Sequence, residues 1–201
     1  IQGQTFSAFE IILVDDGSTD QSGRICDKMA ETDARIHVIH KANGGLSDAR
    51  NAGKKAASGQ FLIFVDSDDF IREDALEILY KHATEKCADI VFGGVCNCYE
   101  NWQEPAPDQV QTYECTGLEA LKKAFLGDIT ITACGELIRA DVCSTHDFQV
   151  GKTYEDAFFM PPLLLDVKKA VVTNVPLYYY WHRAGSITTK CDPEKAMDIV
   201  E

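Results

Sequence analysis

Asp66-Ser67-Asp68-Asp69 sets three carboxylates within four positions, directly after the apolar run Phe61-Leu62-Ile63-Phe64-Val65. Two carboxylates about 5 Å apart at an effective dielectric of about 20 repel by roughly 3 kcal/mol, so the cluster needs strong solvation or a positive partner. A divalent cation is one such partner, because Mg2+ and Mn2+ prefer hard oxygen ligands. The same residues also fit a polar strand end followed by a helix N-cap. A second acidic pair, Asp15-Asp16, follows Ile11-Ile12-Leu13-Val14. Two further sets carry polar chemistry: Glu155-Asp156 after Tyr154, and His182-Arg183 after Tyr178-Tyr179-Tyr180-Trp181. Arg suits bidentate contact with a diphosphate, and His can ligate a metal or donate to a phosphate. Each set also has a plainer reading. Acids at a helix N-terminus are favoured by the macrodipole, and an aromatic strand can hold one face in the core with polar residues outside.

The elements around these residues alternate. Short apolar runs predict strands at 10–14, 36–39, 61–65 and 89–95. Between them, helices are expected at 18–31, with Ser18 or Thr19 as cap, at 47–59 with Ser47 as cap, and at 73–86. Such alternation implies βαβ units, and ligands on those sheets bind outside the carboxyl ends of the strands. Both acidic clusters lie at carboxyl ends, which favours the metal-site reading of Asp66 to Asp69. The rhythm then changes. Residues 97–115 read as a loop and 117–126 as a helix, and 137–143 is ambiguous. Residues 154–166 read as a helix that Pro161-Pro162 should break or restart. Strands are expected at 170–175 and 177–181, and Asp192-Pro193 opens a last helix.

Composition narrows the function class. The chain has 201 residues, a net charge of −13, 45% hydrophobic and 25% charged residues, which suits one soluble domain with a sizeable core. Such an acidic surface argues against non-specific binding to nucleic acid or anionic lipid, yet a local metal or basic group can still draw an anionic substrate. The eight cysteines contain no C-x-x-C pair, so zinc is disfavoured and free thiols in a reducing compartment are expected. No run reaches the length of a membrane-spanning helix.

In order along the chain, Gln4-Thr5-Phe6, Glu10 to Asp20 (EIILVDDGSTD), Asn43-Gly44-Gly45 with Ser47 to Gly53 (SDARNAG), Asp66-Ser67-Asp68, Tyr154-Glu155-Asp156 and Tyr178 to Ile187 (YYYWHRAGSI) resemble the successive motifs of family 2 glycosyltransferases. The resemblance runs through nearly the whole chain. It implies an α/β GT-A fold with a mostly parallel central sheet and helices on both faces. Residues 1–98 would form the nucleotide-binding half and 99–201 the acceptor-side half of one domain. It further implies an inverting, metal-dependent transfer of a sugar, from a UDP-linked donor to a hydroxyl of a glycan or lipid-linked acceptor, at the cytoplasmic face of surface-glycan synthesis. In that scheme Asp16 reads the uracil, Asp15 helps to hold the nucleoside, and Arg50 flanks the base or the phosphates. Asp68 coordinates Mn2+ or Mg2+, and Asp66 touches the ribose or the metal. His182 and Arg183 meet the diphosphate. Asp156 is the general base, with Glu155 as the adjacent alternative; on a helix the two would diverge by about 100°. Asp69 would only cap the following helix.

Three departures from the family pattern stand out. The family's first strand and most of its first helix are missing, which should leave two neighbouring strands unpaired and points to a shortened chain whose peripheral membrane contacts, if any, lie in the missing segments. Cys134-Gly135-Glu136 replaces a frequent Trp-Asn-Lys, so an aromatic is lost and a charge reversed on the acceptor side. Trp181-His182 stands where an Arg and a polar residue are common. A donor-binding module without turnover, a phospho-receiver domain and a haloacid-dehalogenase-type phosphatase are the rival readings. The receiver lacks its later Ser/Thr and Lys, and the phosphatase motif would belong on the first strand.

Overall fold

The computed structural model describes residues 1–183; the expected helix from Asp192-Pro193 and the end of the YYYWHRAGSI motif lie outside the described residues. Strand β5, which follows four shorter strands, is Ile90–Tyr99, and its side chains explain its central place. Ile90 and Phe92 face one side and Val91 the other, and all three are buried. The larger sheet is ordered β3 (Phe61–Leu62), β8 (Leu137–Arg139), β5, β9 (Ala170–Trp181), β4 (Phe70–Ile71). β6 (Trp102–Gln103) pairs with β5, and β7 (Thr112–Cys115) with β9. Only β5 and β9 run parallel; the other ladders are antiparallel. The α/β class holds, but the expected mostly parallel sheet is corrected to a mixed one. Antiparallel neighbours need no helical crossover, which is why the strand–helix rhythm stops midway through the chain.

Helices cover both faces. α3 (Ala75–Lys86) sets Leu79 and Ala83 against Val91 and Val171. On the other face α4 (Gly117–Phe125) and α6 (Glu155–Asp166) bring Ala120, Phe159, Met160 and Leu163 to Ile90 and Phe92. α4 opens on a capping box between Thr116 and Glu119. α6 carries Pro161 and Pro162 inside one continuous helix, correcting the expected break. Its buried face of Phe159, Met160, Leu163 and Leu164 outweighs the lost backbone donors. β9 is likewise one strand where two were expected. Pro176 lies opposite Gly94, where the register shifts and a backbone donor is not required.

The N-terminal part forms its own parallel pair, β1 (Ile11–Asp16) with β2 (Ile36–Lys41), in register from Ile11↔Ile36 to Asp16↔Lys41. α1 (Ser22–Thr32) and α2 (Leu46–Ala56) flank it. Neither helix takes the expected side-chain cap, since Gln21 and Gly45 stand at the N-cap positions. Among the described residues, strand β1 has a ladder only to β2, and β3 only to β8. A cavity of about 1360 Å³ lies between residues 11–14 of the one and 61–65 of the other. Both strands border this cavity with an edge that carries no ladder among the described residues. The apolar run 61–65 accordingly yields a ladder only at Phe61–Leu62, with one further bridge from Phe64 to Cys134.

Candidate active site

The acidic loop begins where the chain leaves the sheet beyond Phe64, whose carbonyl accepts the Gly135 N–H. It closes into a turn through Asp69 N–H to the Asp66 carbonyl at 3.1 Å. Each carboxylate then finds a different partner. Asp66 Oδ1 accepts from Arg50 Nη2 at 2.9 Å, and Asp68 Oδ2 lies 3.1 Å from Arg183 Nη2. Asp69 accepts from the Tyr178 hydroxyl at 2.5 Å and from the Trp181 N–H at 2.8 Å. The helix-cap role for Asp69 is thereby corrected, because Asp74 occupies the N-cap of α3. Burial raises the Asp69 carboxyl above its ordinary value, against the two donors that lower it.

Arg50 is the hub of a second group. Its side chain is 8% exposed. Beyond Asp66 it donates Nη1 to Glu155 at 2.5 Å and to Asp156 at 3.2 Å, and its guanidinium lies 5.3 Å from the Phe148 ring centroid. The expected divergence of Glu155 and Asp156 is not what the fold delivers. Both stand in the first turn of α6, after Tyr154 in a left-handed conformation, and both converge on one guanidinium. Arg50, read from the sequence as a partner for base or phosphates, here ties the acidic loop to the start of α6. Partial burial, then the neighbouring Glu155, push the Asp156 carboxyl up to about 7, with Arg50 pulling the other way.

Glu136 was legible only as a departure from the family pattern. It is 1% exposed. Oε1 accepts from Thr132 Oγ1 at 3.3 Å, and Oε2 is buried with no hydrogen-bond partner. Burial raises this carboxyl well above its ordinary value, because an ionised group without partners is costly to bury. The chain reaches it through Gly135, whose φ of +93° and close approach to the Tyr178 ring leave no room for a Cβ.

Asp15 and Asp16 sit at the end of β1. Asp15 accepts from the Ser18 N–H at 3.0 Å and meets His40 Nδ1 at 2.9 Å; these partners hold it down at about 2. Asp16 accepts from the N–H groups of Gly44 and Gly45 and pairs with Lys41 at 2.5 Å. Lys41, which no sequence signal singled out, also reaches Asp48. His182 bonds Asn97 Oδ1 at 2.8 Å and stacks on Tyr99 at 4.3 Å between centroids. Arg183 is 63% exposed on the side chain and turned to Asp68.

As a cation site, Asp66 and Asp68 offer hard oxygens on side chains 33% and 34% exposed. Among the described residues no group of three His, Cys, Asp or Glu is arranged to hold a metal ion. Asp66 and Asp68 alone are thus an incomplete oxygen donor set for a hard divalent cation. Seven cysteines among the described residues are free thiols, and none of the helices described is long and apolar enough to cross a membrane.

Comparison with known proteins places this geometry. The family described as glycosyl transferase family 2 matches residues 1–146. Glycosyltransferase GlyG of Streptococcus pneumoniae is 36% identical over 98% of this chain and 69% of its own length. Glycosyltransferase GlyA of the same organism is also 36% identical, over 92% of this chain and 28% of its own length. Among solved structures, S. aureus TarS 1-349 in complex with UDP-GlcNAc superposes with a TM-score of 0.79 at 24% identity, over 94% of this chain and 55% of that one. The chain thus spans just over half of the TarS structure and under a third of GlyA.

Proposed function

Because the chain belongs to glycosyltransferase family 2, we propose that it moves a sugar from a UDP-linked donor to an acceptor hydroxyl with inversion, in the assembly of a surface glycan. The observation that carries this reading is the convergence of Asp66, Glu155 and Asp156 on Arg50. One buried cation joins the loop suited to a diphosphate to a carboxyl poised near neutrality. The TarS complex with UDP-GlcNAc supports the donor class.

Asp16 reads the base. A carboxylate has about four acceptor positions, and Asp16 Oδ1 already takes Lys41 and Gly44 while Oδ2 takes only Gly45. Oδ2 keeps a lone pair for the uracil N3–H, with Asp15 alongside for the nucleoside. Arg183 and His182, immediately after β9, grip the diphosphate. Asp68 and Asp66 would hold Mn2+ or Mg2+, and such an ion would supply neutralisation of the charge on the leaving diphosphate. Arg50 gives up none of its carboxylates for this; it keeps Asp66 and Asp156 in fixed relation.

Asp156 is the general base. As the acceptor oxygen forms its bond to the anomeric carbon, Asp156 takes the hydroxyl proton, and the bond from that carbon to the diphosphate oxygen breaks to release UDP. A base with a pKa of about 7 combines a useful ionised fraction with a useful proton affinity at neutral pH. A donor-binding module without turnover is the second reading, favoured by the free edges of β1 and β3 beside the site. Release of UDP from UDP-hexoses and UDP-N-acetylhexosamines, assayed with a panel of glycan acceptors, separates the two. Acceptor-dependent release that Asp156→Asn abolishes supports transfer; UDP binding with no release from any donor supports the module.

A further inference from the structure

The fourth residue of Asp66-Ser67-Asp68-Asp69 has no role in the scheme above, yet it is the most firmly held. Both its oxygens are committed, one to the Tyr178 hydroxyl at 2.5 Å and the other to the Trp181 N–H at 2.8 Å. Tyr178 is 2% exposed. Its hydroxyl donates to Asp69 and accepts from the Asp66 N–H at 3.2 Å, and its ring lies against Gly135. The hydroxyl therefore links the first and last residues of the acidic loop, and Asp69 links that loop to the end of β9. The next two residues of the chain are His182 and Arg183, and Arg183 returns to Asp68. A closed ring results: loop, tyrosine, strand end, arginine, loop.

We infer that Asp69 and Tyr178 form a brace, a pair of positioning residues that fixes Asp66 and Asp68 against His182 and Arg183 so that cation and diphosphate meet a preformed site. The inference rests on the nucleotide site proposed above and adds a division of labour within the acidic loop. The side chains of Asp66 and Asp68 are about one-third exposed, whereas each Asp69 oxygen already holds a donor within the fold. Prepositioning matters because ligands that must be held about 1 Å apart from their ideal places lose much of their interaction with a charged group. The fold itself does not depend on the brace. Phe70 pairs with Tyr179 through the backbone, and their rings stack at 4.9 Å and 6°, so strand and loop stay joined when the hydroxyl is removed.

Calorimetry of UDP binding, in Mn2+ and separately in EDTA, tests this on the protein and on Tyr178→Phe, Asp69→Asn and the double variant, with thermal melting as a fold check. Each single change is expected to weaken Mn2+-dependent UDP binding by about tenfold, the scale of one charge-assisted hydrogen bond. The loss in the double variant should be smaller than the sum of the two single losses, because both changes break the Tyr178–Asp69 contact. Affinity in EDTA should fall by less, because there only the placement of His182 and Arg183 is disturbed. Unchanged Mn2+-dependent affinity in Tyr178→Phe overturns the brace, even if melting falls. So do losses that add in the double variant, which would make Asp69 an independent ligand. If the unchanged protein binds no UDP under either condition, the nucleotide reading fails first and the brace loses its purpose with it.

Discussion

The two acidic clusters of this chain are built on opposite electrostatic plans. Asp15 and Asp16 are served by neighbours close in sequence: Ser18, His40, Lys41, Gly44 and Gly45, none more than 29 positions away. Their carboxyls are lowered, Asp15 by Ser18 and His40, and Asp16 by Lys41 and two backbone donors that outweigh its burial. Asp69 and Asp156 are served from afar, from Arg50 to Asp156 across 106 positions and from Trp181 to Asp69 across 112. Here burial leads, and Asp69, Asp156 and nearby Glu136 are all raised. A locally satisfied carboxylate stays ionised and suits an acceptor of hydrogen bonds. A carboxyl held by long-range packing can be kept near neutrality, which suits moving a proton.

If that contrast is right, the long-range cluster should break hardest. Arg50→Met leaves three carboxylates around an apolar side chain and is expected to cost about 3–5 kcal/mol of stability, measured by denaturant unfolding. A loss below about 1 kcal/mol would mean that the hub is no more than a surface contact. Next comes the pH dependence of turnover. A base that titrates at about 7 makes kcat/KM fall about tenfold per pH unit below that value and level off above it. A flat profile between pH 5.5 and 8 would take the base role away from Asp156.

Glu136 gives a smaller, signed effect. Its folded carboxyl binds a proton that the unfolded chain releases above its ordinary value of 4.5. Between 4.5 and the raised folded value the native state holds more protons than the unfolded one, so stability declines as pH rises. Glu136→Gln removes that slope, so its melting temperature should gain on the wild type as pH rises from 4.5 toward the raised folded value. A constant offset would show that the acid is ionised in the fold. The mildest test falls on the local cluster. His40 is raised by Asp15 first and Asp27 second, so Asp15→Asn should lower its titration, followed by NMR of the imidazole, while melting changes little. Its contribution to stability is present below 6.5 and lost as pH rises through the raised folded value.

What the sequence disclosed follows the same divide. The runs Ile11–Val14 and Ile36–Ile39 and the helices after them need only local apolar spacing, and they stand within a few residues of expectation. The caps do not, because Ser18 and Ser47 were read one by one while Gly17 and Gly45, both at positive φ, set the turns. In the second half, β6, β7 and β8 are two to four residues long and owe their existence to neighbours rather than to a pattern of their own. The candidate site was legible as residue types in order. Its wiring was not: that Arg50 reaches Glu155 and that Tyr178 reaches Asp66 and Asp69 are consequences of packing between residues 105 to 112 positions apart, and Glu136 is buried by the fold rather than by a local pattern.

The central claim is that carboxylates from distant parts of the chain hold a divalent cation and, with it, a uridine diphosphate. The most direct measurement is the affinity for UDP by calorimetry, in Mn2+ and in EDTA, for the protein and for Asp68→Ala. The account predicts tight binding in Mn2+, at least tenfold weaker binding in EDTA, and for Asp68→Ala an affinity that no longer responds to the metal. Equal affinities for both proteins under both conditions would contradict it.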